Sequence, residues 1–357
     1  MSRLVHTSAP GSTLLLGEHA VLAGETALVC ALDKRIFVTL QPRDDQSISI
    51  NSELGHYQCP LSAFTQPKTK AQLQDQLKNS PAKFRFVLAA IQQASQVNNN
   101  KLQLGFDLTI RADFKATVGF GSSAAVSVAV LGALMRHTQQ KQQEQQEINR
   151  NSLFNLAYQA IHAAQNNQGS GADVAASVYG GIVHYQPQLS SRHAQRQLRI
   201  QTLNPKFHYP HIHLIYSGYK TPTPIVIAHV AEQFKNKSNE LMAIYQAIGQ
   251  CTQQGLKALT NNTDVIEELT TLATAMTTQQ ALMTKLGVNN DTLQSIIDHL
   301  TTDSNIVAAK ISGSGLGDCI IALSHTATPP LLTAEHAAQG IQYLPAAISP
   351  TGFCYDH

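Results

Sequence analysis

The stretch that decides the fold reads Val118-Gly-Phe-Gly-Ser-Ser-Ala-Ala-Val-Ser-Val-Ala-Val-Leu-Gly-Ala-Leu-Met135. Two glycines and two serines precede an unbroken run of small and apolar residues, which predicts a tight turn leading directly into a buried helix. The free amide groups of the first helical turn and the helix dipole favour an anion there, and phosphate is the natural ligand. Taken alone, the stretch is also compatible with a Gly-Ser linker or an ordinary serine-capped helix.

The neighbouring sequence supplies the context of a phosphate site. Apolar residues alternate from Leu102 to Ile110, which predicts a half-buried strand running toward the Gly-Ser turn. Two further glycine-rich segments follow, Gly169-Ser-Gly-Ala-Asp173 and Ser312-Gly-Ser-Gly-Leu-Gly317, and the second lies between two apolar strands. Three small-residue loops beside apolar elements are hard to explain as linkers.

Asp173 is the one acid in the apolar surroundings of the second glycine-rich segment. An ionised carboxylate in such surroundings costs several kcal/mol unless a charge or a hydrogen bond uses it. Asp173 is therefore a candidate functional residue, and a helix N-cap is the alternative.

Other polar residues lie in turns. Glu18 and His19 occupy a turn between apolar strands, where a satisfied hairpin is the alternative to a functional role. Lys220 and Thr221 precede a helix and are candidates for contact with an anionic substrate, although a proline-initiated helix start explains them equally well. The histidines at 208, 211 and 213 have strand spacing and no partner cysteine or carboxylate, which disfavours a metal site.

Length and composition bound the possibilities. With 357 residues the chain is expected to form two domains, 1–190 and 206–357, with the boundary between residues 187 and 206. Charged residues make up 13% and the net charge is +2, so neither a nucleic acid nor a membrane surface is an expected partner. Small molecules are the expected partners. Five scattered cysteines, no signal-peptide pattern and no long apolar span predict a soluble cytoplasmic protein.

Two common nucleotide-binding motifs are not supported. No Walker A lysine follows any of the glycine-rich segments. The segment Gly119 to Ala124 fits the dinucleotide-binding pattern only loosely, because a Gln-rich run stands where the acidic residue of that pattern belongs.

Three motifs in order carry a resemblance to a known family. The segments Pro10-Gly11 with Gly17-Glu-His-Ala-Val21, Gly119-Phe-Gly-Ser-Ser-Ala-Ala125 and Ile311-Ser-Gly-Ser-Gly-Leu-Gly-Asp-Cys319 resemble the signature motifs of the GHMP kinases. This superfamily comprises galactokinases, homoserine kinases, mevalonate kinases and phosphomevalonate kinases. The resemblance spans nearly the whole chain and implies an α+β fold of two α/β domains with the active site between them. The N-terminal domain would contain a left-handed βαβ unit, and the C-terminal domain would be ferredoxin-like.

The resemblance also implies roles for individual residues. ATP and Mg²⁺ would be the cofactors, Asp173 would be the catalytic base or electrostatic partner of the substrate hydroxyl, and Ser123 would bind the metal. The residues implied in ATP binding are Gly119, Gly121, Ser122, Ser123, Ala124, Gly313 and Gly315. Those implied in substrate binding are Glu18, His19, Lys220, Thr221 and Ser314.

The acceptor that the resemblance implies differs between motifs. Residues 17–28 are similar to the mevalonate kinases, whereas residues 169–176 and Gly317-Asp-Cys319 are similar to the phosphomevalonate kinases. Mevalonate is the expected acceptor, within isoprenoid biosynthesis, and mevalonate 5-phosphate is the alternative. A homodimer is compatible with the family.

The chain departs from the family pattern at two positions. Ser12 stands where a lysine is usual, and His162 stands where mevalonate kinases carry a glutamate. These departures bring the metal ligands into question and leave open a catalytically weak ligand sensor.

Overall fold

A computed structural model describes residues 4–66, 69–97, 102–115, 118–141, 147–190, 195–203, 209–260 and 264–355. The strands in chain order are β1 (Val5–Leu16), β2 (Ala27–Pro42), β3 (Ser47–Ser52), β4 (Gly55–Pro60), β5 (Phe106–Ala112), β6 (Ile182–Gln186), β7 (Leu189–Ser190), β8 (Gln195–Arg196), β9 (Arg199–Leu203), β10 (His211–Tyr216), β11 (Ile306–Ser312), β12 (Cys319–Ser324), β13 (Gln342–Leu344) and β14 (Cys354–Tyr355).

The α-helices are α1 (Ser62–Thr65), α2 (Lys70–Lys78), α3 (Arg85–Val97), α4 (Ser122–Lys141), α5 (Arg150–Ala164), α6 (Ala172–Tyr179), α7 (Thr223–Gln233), α8 (Ser238–Thr260), α9 (Val265–Lys285), α10 (Asp291–Leu300) and α11 (Ala334–Ala338). Short 3₁₀ helices cover Ala20–Ala23 and Ala82–Phe84. Within these described residues, no helix is long and apolar enough to cross a membrane.

The first sheet is organised around the long strand β2. Its first half pairs with β6 and its second half with β5, while β1 runs antiparallel beside most of its length. The strand β3 joins β5 in parallel. Helices α4 and α6 pack on this sheet, and α3 and α5 pack on those helices. Their apolar faces form one buried cluster with the inward side chains of β1, β2 and β5.

The segment Ala9 to Ser12, which has the composition of a turn, lies inside β1. The pairing of β1 with β2 shifts register between Pro10 and Ser12, as at a β-bulge. A Cβ atom on Gly11 would lie 2.6 Å from the carbonyl oxygen of Phe120, so only glycine lets the Gly-Ser turn approach the strand this closely. The bulge therefore brings the first motif into contact with the second.

The second sheet confirms the predicted ferredoxin-like domain. Its order is β11-β12-β10-β13 and every pairing is antiparallel. Helices α7 to α10 connect β10 to β11, and α11 connects β12 to β13, which gives the βαββαβ chain order of that fold. The α+β class is likewise confirmed, whereas the handedness of the N-terminal βαβ unit stays a prediction.

Sheet membership departs from the predicted domains, 1–190 and 206–357, at one strand. The strand β14 lies in the second range but pairs with β1 of the first sheet. The strand β9 lies in the interval that the prediction assigned to neither domain, and it pairs with β6 of the first sheet. The guanidinium of Arg35 fixes the returning segment by donating to the carbonyl oxygens of Thr351 and Gly352. The phenyl ring of Phe353 packs against Gly132 of α4, where a Cβ atom would lie 2.1 Å from the ring.

One strand begins later than its alternation predicts. The pattern starts at Leu102, but β5 starts at Phe106. Gly105 packs against the backbone of Ser47, and its N–H donates to Asp45 O, so the chain enters the sheet only after this close contact. The first part of the Gln-rich run forms the C-terminal end of α4, which extends to Lys141. Residues 142–146 lie outside the described part of the chain.

Candidate active site

The Gly-Ser turn opens helix α4, as its composition predicts. The first helical hydrogen bonds are donated by the amides of Ala124 and Ala125 to Gly121 O, at 3.0 and 3.1 Å. The amides of Ser122 and Ser123 precede these bonds and lie at the open N-terminus of the helix. Such amides, together with the helix dipole, are the groups that bind phosphate at helix N-termini, so Ser122 and Ser123 are candidates for that role.

Ser12 connects this turn to Asp173. Its hydroxyl donates to Asp173 Oδ1 at 2.8 Å, and its backbone N–H donates to Phe120 O at 3.0 Å. Gly121 has a φ of +59°, and a Cβ atom on it would lie 2.1 Å from Ser12 Oγ. The strand β1 therefore sets the distance between the helix N-terminus and the carboxylate.

Asp173 lies in the first turn of α6, and its side chain is partly buried. Burial raises the pKa of Asp173, the hydrogen bond from Ser12 and the charge of Lys220 lower it, and the charge of Asp318 raises it. A carboxylate with a raised pKa is a better proton acceptor than one in water. The second glycine-rich segment thus holds a potential general base.

The loop before α6 is fixed by aromatic and histidine side chains. Gly171 has a φ of +88°, and a Cβ atom there would lie 2.7 Å from the rim of the Tyr158 ring. The hydroxyl of Tyr185 donates to Ser170 O, and His162 Nε2 donates to Gly169 O at 3.0 Å. His162 therefore supports the loop that presents Asp173.

The third glycine-rich loop faces the first two from the C-terminal domain. Gly313 and Gly315 have φ values of +98° and +88°. Ser314 O accepts a hydrogen bond from His19 Nε2 at 2.8 Å. The Lys220 ammonium lies 3.1 Å from Asp318 Oδ2, and the hydroxyl of Thr221 donates to Leu316 O. Four of the implied substrate-binding residues therefore meet around this loop.

Glu18 has a different environment from its neighbour His19. Its carboxylate is paired with the ammonium of Lys310 in β11 and accepts a hydrogen bond from Gln279 Nε2 in α9. Glu18 and Lys310 are 1% and 0% exposed, so the pair is sealed from solvent. Both carboxylate oxygens of Glu18 are thus used in joining the two domains, and its predicted contact with substrate stays a prediction.

A cavity of about 280 Å³ opens beside the N-terminus of α4. Ser122 and Ser123 lie at one end of it, and its walls are mainly apolar. The apolar lining residues are Ile36, Leu54, Ala82, Phe84, Phe86, Val87, Ile110, Ala112, Phe114 and Val126. A mainly apolar cavity next to the N-terminus of a helix offers both surfaces that a nucleotide needs, one for its base and one for its phosphates.

Several contributors to the site were not predicted from the sequence. The sequence indicates Ser12 only as a departure from the family pattern, and it assigns no role to Asp318 or Lys310. Lys310 carried a usable signal, because a lysine inside an apolar strand needs a buried partner. His211 and His213 lie in β10, His208 lies outside the described residues, and the described part of the chain contains no cluster of three potential metal ligands.

Comparison with known proteins identifies the family to which a site of this kind belongs. A model of the GHMP kinases N terminal domain matches residues 85–181, and a model of the GHMP kinases C terminal matches residues 256–344, which together make up about half of the chain. The chain therefore belongs to the GHMP kinases and is a kinase that phosphorylates an alcohol group.

Within that family the chain is mevalonate kinase-like. It is 26% identical over 341 residues to the mevalonate kinase of Pyrococcus horikoshii, covering 96% of this chain and 95% of the relative. Two crystal structures share the fold: the Lin0012 protein from Listeria innocua, with a TM-score of 0.76, 21% identity and 99% of both chains covered, and the mevalonate kinase of Methanococcus jannaschii, with a TM-score of 0.70, 19% identity and 98% of both chains covered.

Proposed function

We propose that this protein transfers the γ-phosphoryl group of ATP to the hydroxyl group of mevalonate, giving ADP and mevalonate 5-phosphate. The observation that carries the proposal is the hydrogen bond from Ser12 to Asp173, which joins a partly buried carboxylate to the loop that opens α4. The names of the relatives at about a quarter identity support mevalonate as the acceptor.

In this proposal the nucleotide lies along the N-terminal domain. The amides of Ser122 and Ser123 bind its phosphates at the N-terminus of α4, and the adjacent apolar cavity holds its base. Phosphoryl transfer depends mainly on positioning and on neutralising the charge of the transferred group, which is what these elements supply.

Asp173 acts on the acceptor. Its carboxylate orients the mevalonate hydroxyl and accepts its proton as the oxygen attacks the γ-phosphorus. Ser12 keeps the carboxylate facing the phosphates, because its hydroxyl and its backbone N–H are bonded to Asp173 and Phe120 respectively.

Mg²⁺ fits the oxygen ligands present. Magnesium in kinases is held by one or two protein oxygens together with the phosphates and water, and Ser123 offers a hydroxyl beside the phosphate position. When bound, the ion would neutralise charge on the β- and γ-phosphates. His162 is hydrogen-bonded to Gly169 O, so we do not assign it to the metal.

Parallel measurement of ADP release tests the acceptor. Purified protein is given ATP and Mg²⁺ with mevalonate, mevalonate 5-phosphate, galactose or homoserine in separate reactions. Turnover with mevalonate is expected. A preference for mevalonate 5-phosphate would make that compound the acceptor, in agreement with the similarity of residues 169–176 and 317–319 to phosphomevalonate kinases. Binding of nucleotide without turnover on any of the four would indicate a sensor.

Substitution Asp173→Asn tests the proposed base. We expect kcat to fall at least ~10²-fold, since a positioned general base contributes that much or more, while the affinity for ATP changes little. Calorimetric titration with ADP checks that the nucleotide site is intact. Near-normal turnover would remove Asp173 from the chemistry.

A further inference from the structure

A charged pair of the C-terminal domain lies against the catalytic loops of the N-terminal domain. Lys220 Nζ is 3.1 Å from Asp318 Oδ2. The carboxylate of Asp318 in turn lies beside Gly119, where a Cβ atom would be 2.3 Å from Asp318 Oδ1. The pair therefore reaches the loop in which we place the nucleotide phosphates.

Backbone hydrogen bonds tie the two segments that carry the pair. The N–H of Asp318 donates to Tyr219 O and the N–H of Ser217 donates to Asp318 O, each at 2.8 Å. Asp318 has a φ of +72°, an uncommon conformation for a non-glycine residue that these bonds hold in place. Lys220 and Asp318 are thus displayed as one unit and not as two independent surface side chains.

The exposure of the pair suits a role in the cleft. The side chain of Lys220 is 40% exposed and that of Asp318 is 14% exposed. A half-exposed ammonium on a flexible stem can move between partners, whereas the more buried carboxylate is fixed.

Charges of both signs act on Asp173. Its neighbours are the neutral Ser12, which donates a hydrogen bond, the like-charged Asp318 and the cation Lys220. Two carboxylates beside incoming phosphates repel both each other and the ligand. Lys220 is the positive charge that the geometry places among them, since Ser12 carries none.

We propose that Lys220, oriented by Asp318, supplies the positive charge that supports Asp173 and the transferred phosphoryl group during catalysis. The proposal rests on the kinase activity proposed above and adds two residues of the C-terminal domain to that reaction. In the step itself, the acceptor oxygen bonds to the γ-phosphorus and its proton passes to the carboxylate of Asp173. The bond from the γ-phosphorus to the β,γ-bridging oxygen breaks, and its electron pair stays on ADP. Lys220 keeps its proton throughout and acts through charge alone.

Kinetics of three variants test the role of the pair. We expect Lys220→Met to lower kcat about 10²-fold or more with KM for the acceptor changed less than about threefold, as for loss of an electrostatic donor in a transition state. Lys220→Arg keeps the charge and should remain within about tenfold of the parent. Asp318→Asn should fall between them, because the charge remains and its orientation is lost.

A matched control and a rescue sharpen the test. Lys235→Met removes a lysine paired with Glu232 on the surface and should leave the kinetics unchanged. Adding Ser12→Lys to Lys220→Met places a new cation next to Asp173 and should recover at least about tenfold in kcat. Unchanged kcat in Lys220→Met would overturn the proposal, and so would an increase in KM alone, which would make Lys220 a substrate-binding residue.

A measurement without turnover tests the role of Lys220 independently of which compound is the acceptor. The carboxylate of Asp173 can be titrated by carbon-13 NMR in the parent protein and in Lys220→Met, with Asp173→Asn used to assign its signal. Loss of the nearby cation should raise the pKa of Asp173, and an unchanged pKa would overturn the proposal. This outcome stands even if mevalonate is not the acceptor, because no substrate is present.

Discussion

The space between Gly121 and Ser12 has room for one side chain, and Ser12 fills it. The hydroxyl of Ser12 lies where a methyl group on Gly121 would be, 2.1 Å from the expected Cβ position. Because the same hydroxyl donates to Asp173, the close approach of glycine and serine fixes the position of the carboxylate relative to α4. At the scale of single residues, the site depends on the missing side chain of Gly121 as much as on the hydroxyl of Ser12.

A double-mutant cycle measures this steric coupling. Gly121→Ala should destabilise the protein through both the clash with Ser12 Oγ and the left-handed backbone, whose strain alone costs about 1–2 kcal/mol. In the background of Ser12→Ala the clash is relieved and only the strain remains, so the second cost should be smaller. Urea unfolding of the four proteins gives the coupling energy. Equal costs in both backgrounds would show that the two residues are not in contact.

Three elements from distant parts of the chain meet at Glu18. The loop after β1 carries its carboxylate, β11 carries Lys310, and α9 carries Gln279, which also accepts a hydrogen bond from the N–H of Gly17 at 3.0 Å. This buried polar junction lies between the first and second sheets and fixes the loop that includes His19. The junction therefore sets how the first and third motifs face each other.

Removing one partner of this pair should be costly. Lys310→Met leaves the Glu18 carboxylate buried without its countercharge, and we expect a loss of about 3–5 kcal/mol in the free energy of unfolding. The double variant Glu18→Gln with Lys310→Met leaves no buried charge and should recover much of that loss. Denaturant titration measures both. A loss below about 0.5 kcal/mol in the single variant, as is typical of a surface residue, would contradict a sealed pair.

At the scale of elements, the sequence predicted what local pattern controls. Apolar alternation identified β5, the small and apolar run identified α4, and glycine clusters identified the loops before α4 and between β11 and β12. Pattern failed where a contact between distant segments decides the geometry. The composition of Ala9 to Ser12 indicates a turn, yet β2 pairs with this segment and makes it a bulged strand.

Functional residues were predictable where local sequence marks them and not where a distant contact does. Asp173 was recognisable because an isolated acid in apolar sequence demands an explanation. Asp318 was not, because its importance arises from contact with Gly119, about two hundred residues earlier in the chain, and with Lys220. No local pattern contains that information.

Across the whole molecule, buried histidines couple stability to pH. Burial lowers the pKa of His19, His184, His213 and His336 below the ordinary value of 6.5. Below pH 6.5 the unfolded chain takes up protons that the folded protein does not, so stability falls as the pH falls toward the folded pKa values. Each such histidine contributes at most about 1.4 kcal/mol per pH unit in this window.

His184 offers the clearest test of this coupling. Neither ring nitrogen of His184 has a hydrogen-bond partner among the described residues, so His184→Phe removes a titrating group without breaking a bond. We expect the loss of stability between pH 7.5 and 5.5 to be smaller in this variant than in the parent, measured by urea unfolding at both pH values. His325→Gln, at an exposed position, serves as the control and should keep the parent's dependence. An unchanged dependence in His184→Phe would contradict a lowered pKa for this residue.

The pairing of β14 with β1 has a consequence for biosynthesis. Thr7 and Ser8 lie opposite Tyr355 and Cys354, and the whole second sheet is encoded between them. Domains usually fold in the order in which they leave the ribosome, but here the first sheet lacks its edge strand, and α4 lacks the ring of Phe353, until the C-terminal domain has been synthesised. The nascent N-terminal domain is therefore completed only after translation has passed residue 355, and the exposed edge of β1 is where chaperones would be expected to act during that interval.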